Sequence, residues 1–401
     1  ETTFVSKPAA ISNSNSATFE FASNEAKVYY EMSLNGAAFA TTTNPLTLSN
    51  LADGTYNISV RAVDAAGNKD SSPATYTWTI ITAPPTPPVF SAVSEDRGPK
   101  NDDQITSDNS IRLIGKAQPG MDVTVSESTK GTLGTIKASS TGDWIYNYEG
   151  TTLAAGTYRF TATAKDIAGN VSEVSKVFTI TIDLTKPEIE ITTQAKSPTK
   201  EAFQVQLMFS EEVYGLTAAD LTVANAALSN FTAKDKSTYT ATLTPPAEAQ
   251  GIASIMLAAG KVTDLAGNGN TASSKLEVAY DLKRPKVALS SEAPQLIKTP
   301  FTVRFTFDEE VTGFSAADIS VFNGTISNFN AVSGSVYTAQ VNPDSDGEVS
   351  VSLSANKATD AAGNGNEASA VLKRVYDVEP PKVTLSTASG NLGNTAFTVN
   401  I

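Results

Sequence analysis

One five-residue phrase occurs four times along the chain: Asp64-Ala-Ala-Gly-Asn68, Asp166-Ile-Ala-Gly-Asn170, Asp264-Leu-Ala-Gly-Asn268 and Asp360-Ala-Ala-Gly-Asn364. The copies are 102, 98 and 96 residues apart. A period near 100 with a fixed turn phrase predicts serial copies of one domain type, each folding its own core. A module of that length buries enough apolar surface to fold without cross-links. This matters because the chain has no cysteine.

The stretches between the phrases read as strands. Tyr56, Ile58, Val60 and Ala62 alternate with Asn57, Ser59 and Arg61, and Tyr158, Phe160, Ala162 and Ala164 alternate with Arg159, Thr161, Thr163 and Lys165. Phe203, Val205, Leu207 and Phe209 share one face, as do Phe301, Val303, Phe305 and Phe307. One apolar and one polar face is the pattern of a sandwich sheet. The fold class expected is therefore all-β, with tandem sandwiches arranged as an extended rod. Helical periodicity is weak; single turns are expected at Thr217–Asp220 and Ser315–Asp318. At ~3.3 Å per residue, four such modules end to end should exceed roughly 120 Å.

Prolines mark the joints. Residues 83–88 read Ala-Pro-Pro-Thr-Pro-Pro, a stiff linker. The later joints are shorter: Asp183-Leu-Thr-Lys-Pro187, Asp281-Leu-Lys-Arg-Pro285 and Asp377-Val-Glu-Pro-Pro381. Modules are expected at 1–83, 84–184, 185–282 and 283–378. The third and fourth are sisters: Phe209–Phe231 and Phe307–Phe329 match at 13 of 23 positions without a gap. A fifth copy is expected to begin at 379–401, where Ala396-Phe-Thr-Val matches Pro300-Phe-Thr-Val. The sequence then reads as a piece of a longer array, with any export signal outside it.

Composition excludes several chemistries. With neither cysteine nor histidine, Ser-His-Asp and thiolate catalysis are impossible and the commonest zinc ligand is missing. Lysine and arginine number 29 against 42 acids, a net charge of −13. Such a chain repels nucleic acid and attracts hard cations. No apolar run is long enough to span a membrane.

The residues resemble the bacterial immunoglobulin-like repeats of large surface adhesins and modular secreted proteins. The resemblance is carried in the second module by Gly115-Lys-Ala-Gln-Pro-Gly120, Gly142-Asp-Trp144, the Asp166 phrase and the closing Thr179-Ile-Thr-Ile-Asp183. The third and fourth modules carry Phe-Xaa-Glu-Glu-Val and Ala-Ala-Asp. The first resembles another bacterial type, many relatives of which hold a cysteine pair where this chain has Met32 and Thr42. The family fixes the fold more closely than the function.

The repeated phrase admits two compatible readings. It is a tight hairpin in which Asp bonds its own backbone, or it supplies hard oxygen ligands for calcium. Strand alternation puts this turn at the end where its own module begins. Asp264 should then lie near Asp183, and Asp360 near Asp281. The second module's loop Glu95–Asp103 should reach the same joint, adding Asp96, Asp102 and Asp103; Asp377 serves the last joint. Converging carboxylates repel unless a cation neutralises them, and the resemblance implies calcium at such joints. The first joint has no linker acid, so proline alone is expected to stiffen it. Glu211-Glu212 and Glu309-Glu310 read as structural or ion-binding rather than as a glycosidase pair. Trp144, Tyr146 and Tyr148 read as core rather than a sugar platform, and Tyr56 and Tyr158 as tyrosine corners.

The resulting expectation is a non-enzymatic stalk of an adhesin at the bacterial surface or outside the cell. Its partners are the adjacent modules, with a host glycan or protein ligand bound by domains elsewhere in the parent. The alternative is a spacer or carbohydrate-binding array attached to a secreted enzyme.

Overall fold

The computed structural model describes residues 1–148, 150–387 and 399–400. Most of the expected fifth module, residues 388–398, lies outside the described residues. The chain divides into two compact units. The first comprises Glu1–Pro187 with Glu212–Gly215 and Val262–Asn270; the second comprises Glu188–Glu211, Leu216–Lys261 and Thr271–Ile401. Among the described residues no helix is long and apolar enough to cross a membrane.

The first unit contains two paired-sheet modules. In the first module Thr2–Ser6, Ala17–Ser23 and Leu46–Leu48 form a three-stranded sheet. It faces a five-stranded sheet ordered Ile11–Ser12, Ala74–Ile80, Gly54–Val63, Tyr29–Leu34 and Ala40–Thr42. Phe19, Ile58, Val60, Trp78 and Ile80 fill the space between, with Trp78 and Phe19 edge to face at 5.0 Å. Met32 packs against this core, opposite Ala40, while Thr42 pairs with Tyr30. In the second module Asp143–Asn147, Arg112–Lys116 and Val89–Val93 face Ile105–Thr106, Phe178–Ile182, Gly156–Lys165, Asp122–Glu127 and Gly131–Lys137.

The second unit repeats the plan. Ile189–Thr193, Phe203–Phe209, Thr238–Thr244 and Ala227–Ala233 form one sheet of the third module, and Leu221–Ala224, Gln250–Leu257 and Leu276–Asp281 the other. The fourth has Val287–Ser290, Phe301–Phe307, Val336–Pro343 and Gly324–Ala331 in one sheet. Its other sheet holds Leu296–Ile297, Leu372–Tyr376, Gly347–Leu353 and Ile319–Phe322. The alternating runs behave as their pattern requires: Phe203, Val205, Leu207 and Phe209 are all buried, and so are Phe301, Val303, Phe305 and Phe307.

Three local devices recur. The first edge strand changes sheets, so that a short second piece runs parallel to the last strand: Ile11–Ser12 on Ala74–Ile80, Ile105–Thr106 on Phe178–Ile182, and Leu296–Ile297 on Leu372–Tyr376. The tyrosine corners form as expected, with Tyr56 and Tyr158 hydroxyls each donating to the carbonyl four residues upstream, Ala52 and Ala154, at 3.0 Å. The expected helical turns are short 3-10 segments, Ala218–Asp220 and Ala316–Asp318. In each, the Asp carboxylate accepts from the backbone N–H and hydroxyl of the residue before the turn, Thr217 or Ser315.

Candidate metal centre

All four Asp-Xaa-Ala-Gly-Asn phrases close in the same way between the last two strands of a module. The Asp N–H donates to the Asn carbonyl at 3.0–3.1 Å, and the Gly N–H donates to the Asp carbonyl. Gly67, Gly169, Gly267 and Gly363 have φ of 88°, 96°, 90° and 86°, a region that only glycine enters without steric cost. The Asp side chain then holds its own turn. Its Oδ1 accepts from the Asn N–H at 2.8 Å in every copy, and its Oδ2 accepts from the Asn Nδ2 at 2.8–2.9 Å.

An asparagine amide has two hydrogens, and in the last three copies the second leaves the turn. Asn170 Nδ2 donates to the Ile81 carbonyl at 2.7 Å, Asn268 Nδ2 to that of Asp183 at 2.8 Å, and Asn364 Nδ2 to that of Asp281 at 2.9 Å. Each acceptor ends or immediately follows the last strand of the preceding module. The phrase is thus a clasp: Asp orients Asn, and Asn grips the linker.

The first joint therefore does not rest on proline alone. Besides the Asn170 clasp, Asp53 Oδ1 accepts from the Thr82 N–H at 2.9 Å and from its hydroxyl at 2.7 Å. Its carboxyl is held below the usual range first by the hydroxyl bond, then by the backbone one.

Where the linker residue is an aspartate, the clasp gathers acids. Oxygens of Asp281, Glu309 and Asp360, all in the second unit, lie within 4.8 Å of one another. Asp360 is buried and the other two are half-buried. Glu309 Oε1 is enclosed and has no hydrogen-bond partner. Burial, then the charges of Asp360, Asp281 and Asp308, push the Glu309 carboxyl above its usual range, and Lys283 offsets only part of this. The Lys283 ammonium pairs with Asp308 at 3.0 Å. Three crowded carboxyl groups with one bare, enclosed oxygen are suited to a small hard cation.

In the first unit, Asp183 and Asp264 likewise bring oxygens within 4.8 Å. The second module's loop reaches this turn as expected. Ser107 N–H donates to the Ala266 carbonyl at 2.9 Å, and a Cβ on Gly98 would meet the Leu265 carbonyl at 2.1 Å. Two of the loop's acids each accept one loop N–H, Asp96 Oδ2 from Gln104 and Asp103 Oδ1 from Ile105, both at 3.1 Å, while Asp96 Oδ1 and Asp103 Oδ2 are enclosed without a hydrogen-bond partner. Asp96, Asp102 and Asp103 stand outside the acid groups, as does Asp377, whose Oδ1 accepts from the Glu379 N–H at 3.1 Å.

Residues 83–184 match one family model and residues 183–280 and 281–376 another, both described as bacterial Ig-like domain. The chain belongs to the bacterial Ig-like domains. No curated protein matches it. Among solved structures, a 1.5-MDa bacterial ice-binding adhesin is similar at 15% identity over 67% of this chain and 91% of that one, with a TM-score of 0.32. A tetra-tandem repeat from the extending region of a large adhesion protein is similar at 15% identity over 94% and 98%, with a TM-score of 0.29. Invasin, a bacterial integrin-binding protein, is similar at 16% over 66% and 56%, with a TM-score of 0.28.

Within these Ig-like domains the aromatic row of the second module belongs to its core. Trp144 and Tyr148 are buried and Tyr146 packs against them. Of the paired glutamates expected to be structural or ion-binding, Glu309 turns inward while Glu310 is exposed. Two further residues at the last joint escaped sequence reasoning. Asn366, fully buried, accepts from the Lys357 and Ala358 N–H groups and donates to the Ser354 and Glu367 carbonyls; the repeated Gly-Asn-Gly-Asn was its signal. Arg284, in the linker, donates to the Gly365 and Asn366 carbonyls and to Asn356 Oδ1. No repeat marks it, since the sister linker has Lys186.

Proposed function

We propose that these tandem domains are a non-enzymatic structural stalk of a bacterial cell-surface or secreted adhesin, and that calcium locks the joint between the third and fourth modules. The observation that carries the reading is the Asp281–Glu309–Asp360 group, set directly beside the Asn364 clasp. Asp281 ends one module, whereas Glu309 and Asp360 belong to the next. A cation held by all three resists bending because bending would separate its ligands. Asp183 and Asp264 are the corresponding pair one joint earlier, with Glu211 the sequence counterpart of Glu309. Asp96, Asp102, Asp103 and Asp377 fall outside this proposal.

The mechanical logic rests on linkage. A site with ~10 μM affinity in ~1 mM extracellular calcium gains about 2.7 kcal/mol. Export would supply the ion, so the array would stiffen only outside the cell, holding a binding domain elsewhere in the parent away from the surface. The test is a thermal melt and small-angle scattering of the whole chain in millimolar calcium and in chelator. Calcium should raise the melting temperature and lengthen the particle, and Asp281→Ala should remove much of both effects. Superimposable curves with and without calcium would sink the calcium lock.

A further inference from the structure

The clasp asparagines differ in the residue that comes next. Asn268 and Asn364 precede Gly269 and Gly365, whereas Asn68 and Asn170 precede Lys69 and Val171. A backbone nitrogen can attack the side-chain Cγ of the asparagine before it. Glycine leaves that nitrogen open and conformationally free, whereas a β-branched residue crowds it.

The closed clasp opposes this attack by restraining the asparagine side chain and the backbone on both sides of the glycine. Asn364 Nδ2 is held by Asp360 Oδ2 and the Asp281 carbonyl, both at 2.9 Å, and its N–H by Asp360 Oδ1 at 2.8 Å. The backbone is pinned on both sides of Gly365, by Asp360 N–H to the Asn364 carbonyl and Asn366 N–H to the Ala358 carbonyl. Asn268 is held by the same set: Asp264, the Asp183 carbonyl, and the flanking bonds from Asp264 N–H and Asn270 N–H.

We propose that Asn268 and Asn364 are deamidation sites gated by their clasps: protected while the joint is closed and converted when it opens. The Gly365 nitrogen forms a bond to Asn364 Cγ, the Cγ–Nδ2 bond breaks, and ammonia leaves carrying the former backbone proton. Water then opens the imide at either carbonyl, giving aspartate or isoaspartate. The net change is asparagine plus water to acid plus ammonia. The product has lost both side-chain amide hydrogens, so its side chain can grip neither Asp360 Oδ2 nor the Asp281 carbonyl. It also adds a carboxylate beside Asp281, Glu309 and Asp360, and like charges there oppose reclosure. One opening event thus becomes a permanent loss of that clasp. Asn170 makes the same clasp but is exempt, because Val171 comes after it. None of this requires calcium.

The test is peptide mapping by mass spectrometry after incubating the whole chain at mildly alkaline pH in chelator, folded and in urea. Conversion at Asn268 and Asn364 should be at least about tenfold slower in the folded chain, as expected for a site that reacts only through local opening. Asn170 should be slow in both. Val171 is 53% exposed, so Val171→Gly is tolerated, and it should make Asn170 fast in urea and protected when folded. Equal rates in folded and unfolded chains would overturn the gating. No conversion of Asn268 or Asn364 in urea would overturn the chemistry.

Discussion

The first and last described joints use one clasp for two different tasks. At the first, Asn170 grips the carbonyl of Ile81; at the last, Asn364 grips that of Asp281. The hydrogen bonds agree within 0.2 Å (2.7 and 2.9 Å). The side chain on the gripped residue differs, and with it the electrostatics. Beside Ile81 no group of three acids gathers among the described residues. Beside Asp281 two more carboxyl groups close in and leave Glu309 with a raised proton affinity. Fastening and charge are therefore separable, and the first joint is a built-in control for the last.

The widest break in that comparison should come from removing the fastener. Asn364→Ala deletes one bond to a carboxylate and one to a carbonyl, leaving the buried Asp360 and the half-buried Asp281 each short of a donor; a loss of about 2–3 kcal/mol is expected. Asn170→Ala should cost a similar amount, and calorimetry of the two variants in chelator checks this. If only one of them lowers the melting transition, the clasps are not equivalent.

Glu309→Gln should separate the joints next. In calcium it should forfeit up to about 2.7 kcal/mol of linkage. In chelator it should stabilise, because it removes a carboxylate whose charged form is disfavoured by burial and by its neighbours. The raised folded pKa sets the sign. The native state binds more protons than the unfolded state, so stability falls as pH rises through the folded pKa. Without calcium, acidification from neutral pH should stabilise wild type by this contribution, and the variant should lack it. A variant with the wild-type pH profile would place Glu309 outside the charged group.

The smallest effect is expected from Ile81→Asp. It gives the first joint a linker acid but no third carboxyl group, so stability in chelator should change by about 0.5–1 kcal/mol and the first module should melt alike with and without calcium. A calcium response as large as that of the last joint would mean that two acids suffice and that Glu309 is dispensable.

Much of the site was legible in the order of residues. Strand alternation put the repeated turn at the head of its module, and that placed Asp264 near Asp183 and Asp360 near Asp281. Glycine at a left-handed φ and Asp bonding its own turn are local matters, set within five residues. The inward side of Glu309 follows the period of the strand Phe301–Phe307, since 301, 303, 305, 307, 309 and 311 all turn inward; what was not legible is that this position meets Asp281 and Asp360, which depends on how two modules pack. Asp96, Asp102 and Asp103 read as joint ligands because composition counts charges and cannot count backbone donors; such donors engage one oxygen each of Asp96 and Asp103 inside the loop and leave the second enclosed without a partner.

By itself the sequence determined what repeats and what folds locally: four modules, their turns and corners, and the apolar faces that must be buried. Those arise from backbone stereochemistry and hydrophobic period, which act over a few residues. Only the tertiary structure decided that the second amide hydrogen of each later Asn crosses to a linker 83–89 residues earlier. It also decided that Glu309 meets the linker acid Asp281 and the turn acid Asp360. Both depend on how one module's end meets the next module's loops, and no period in the chain encodes that meeting.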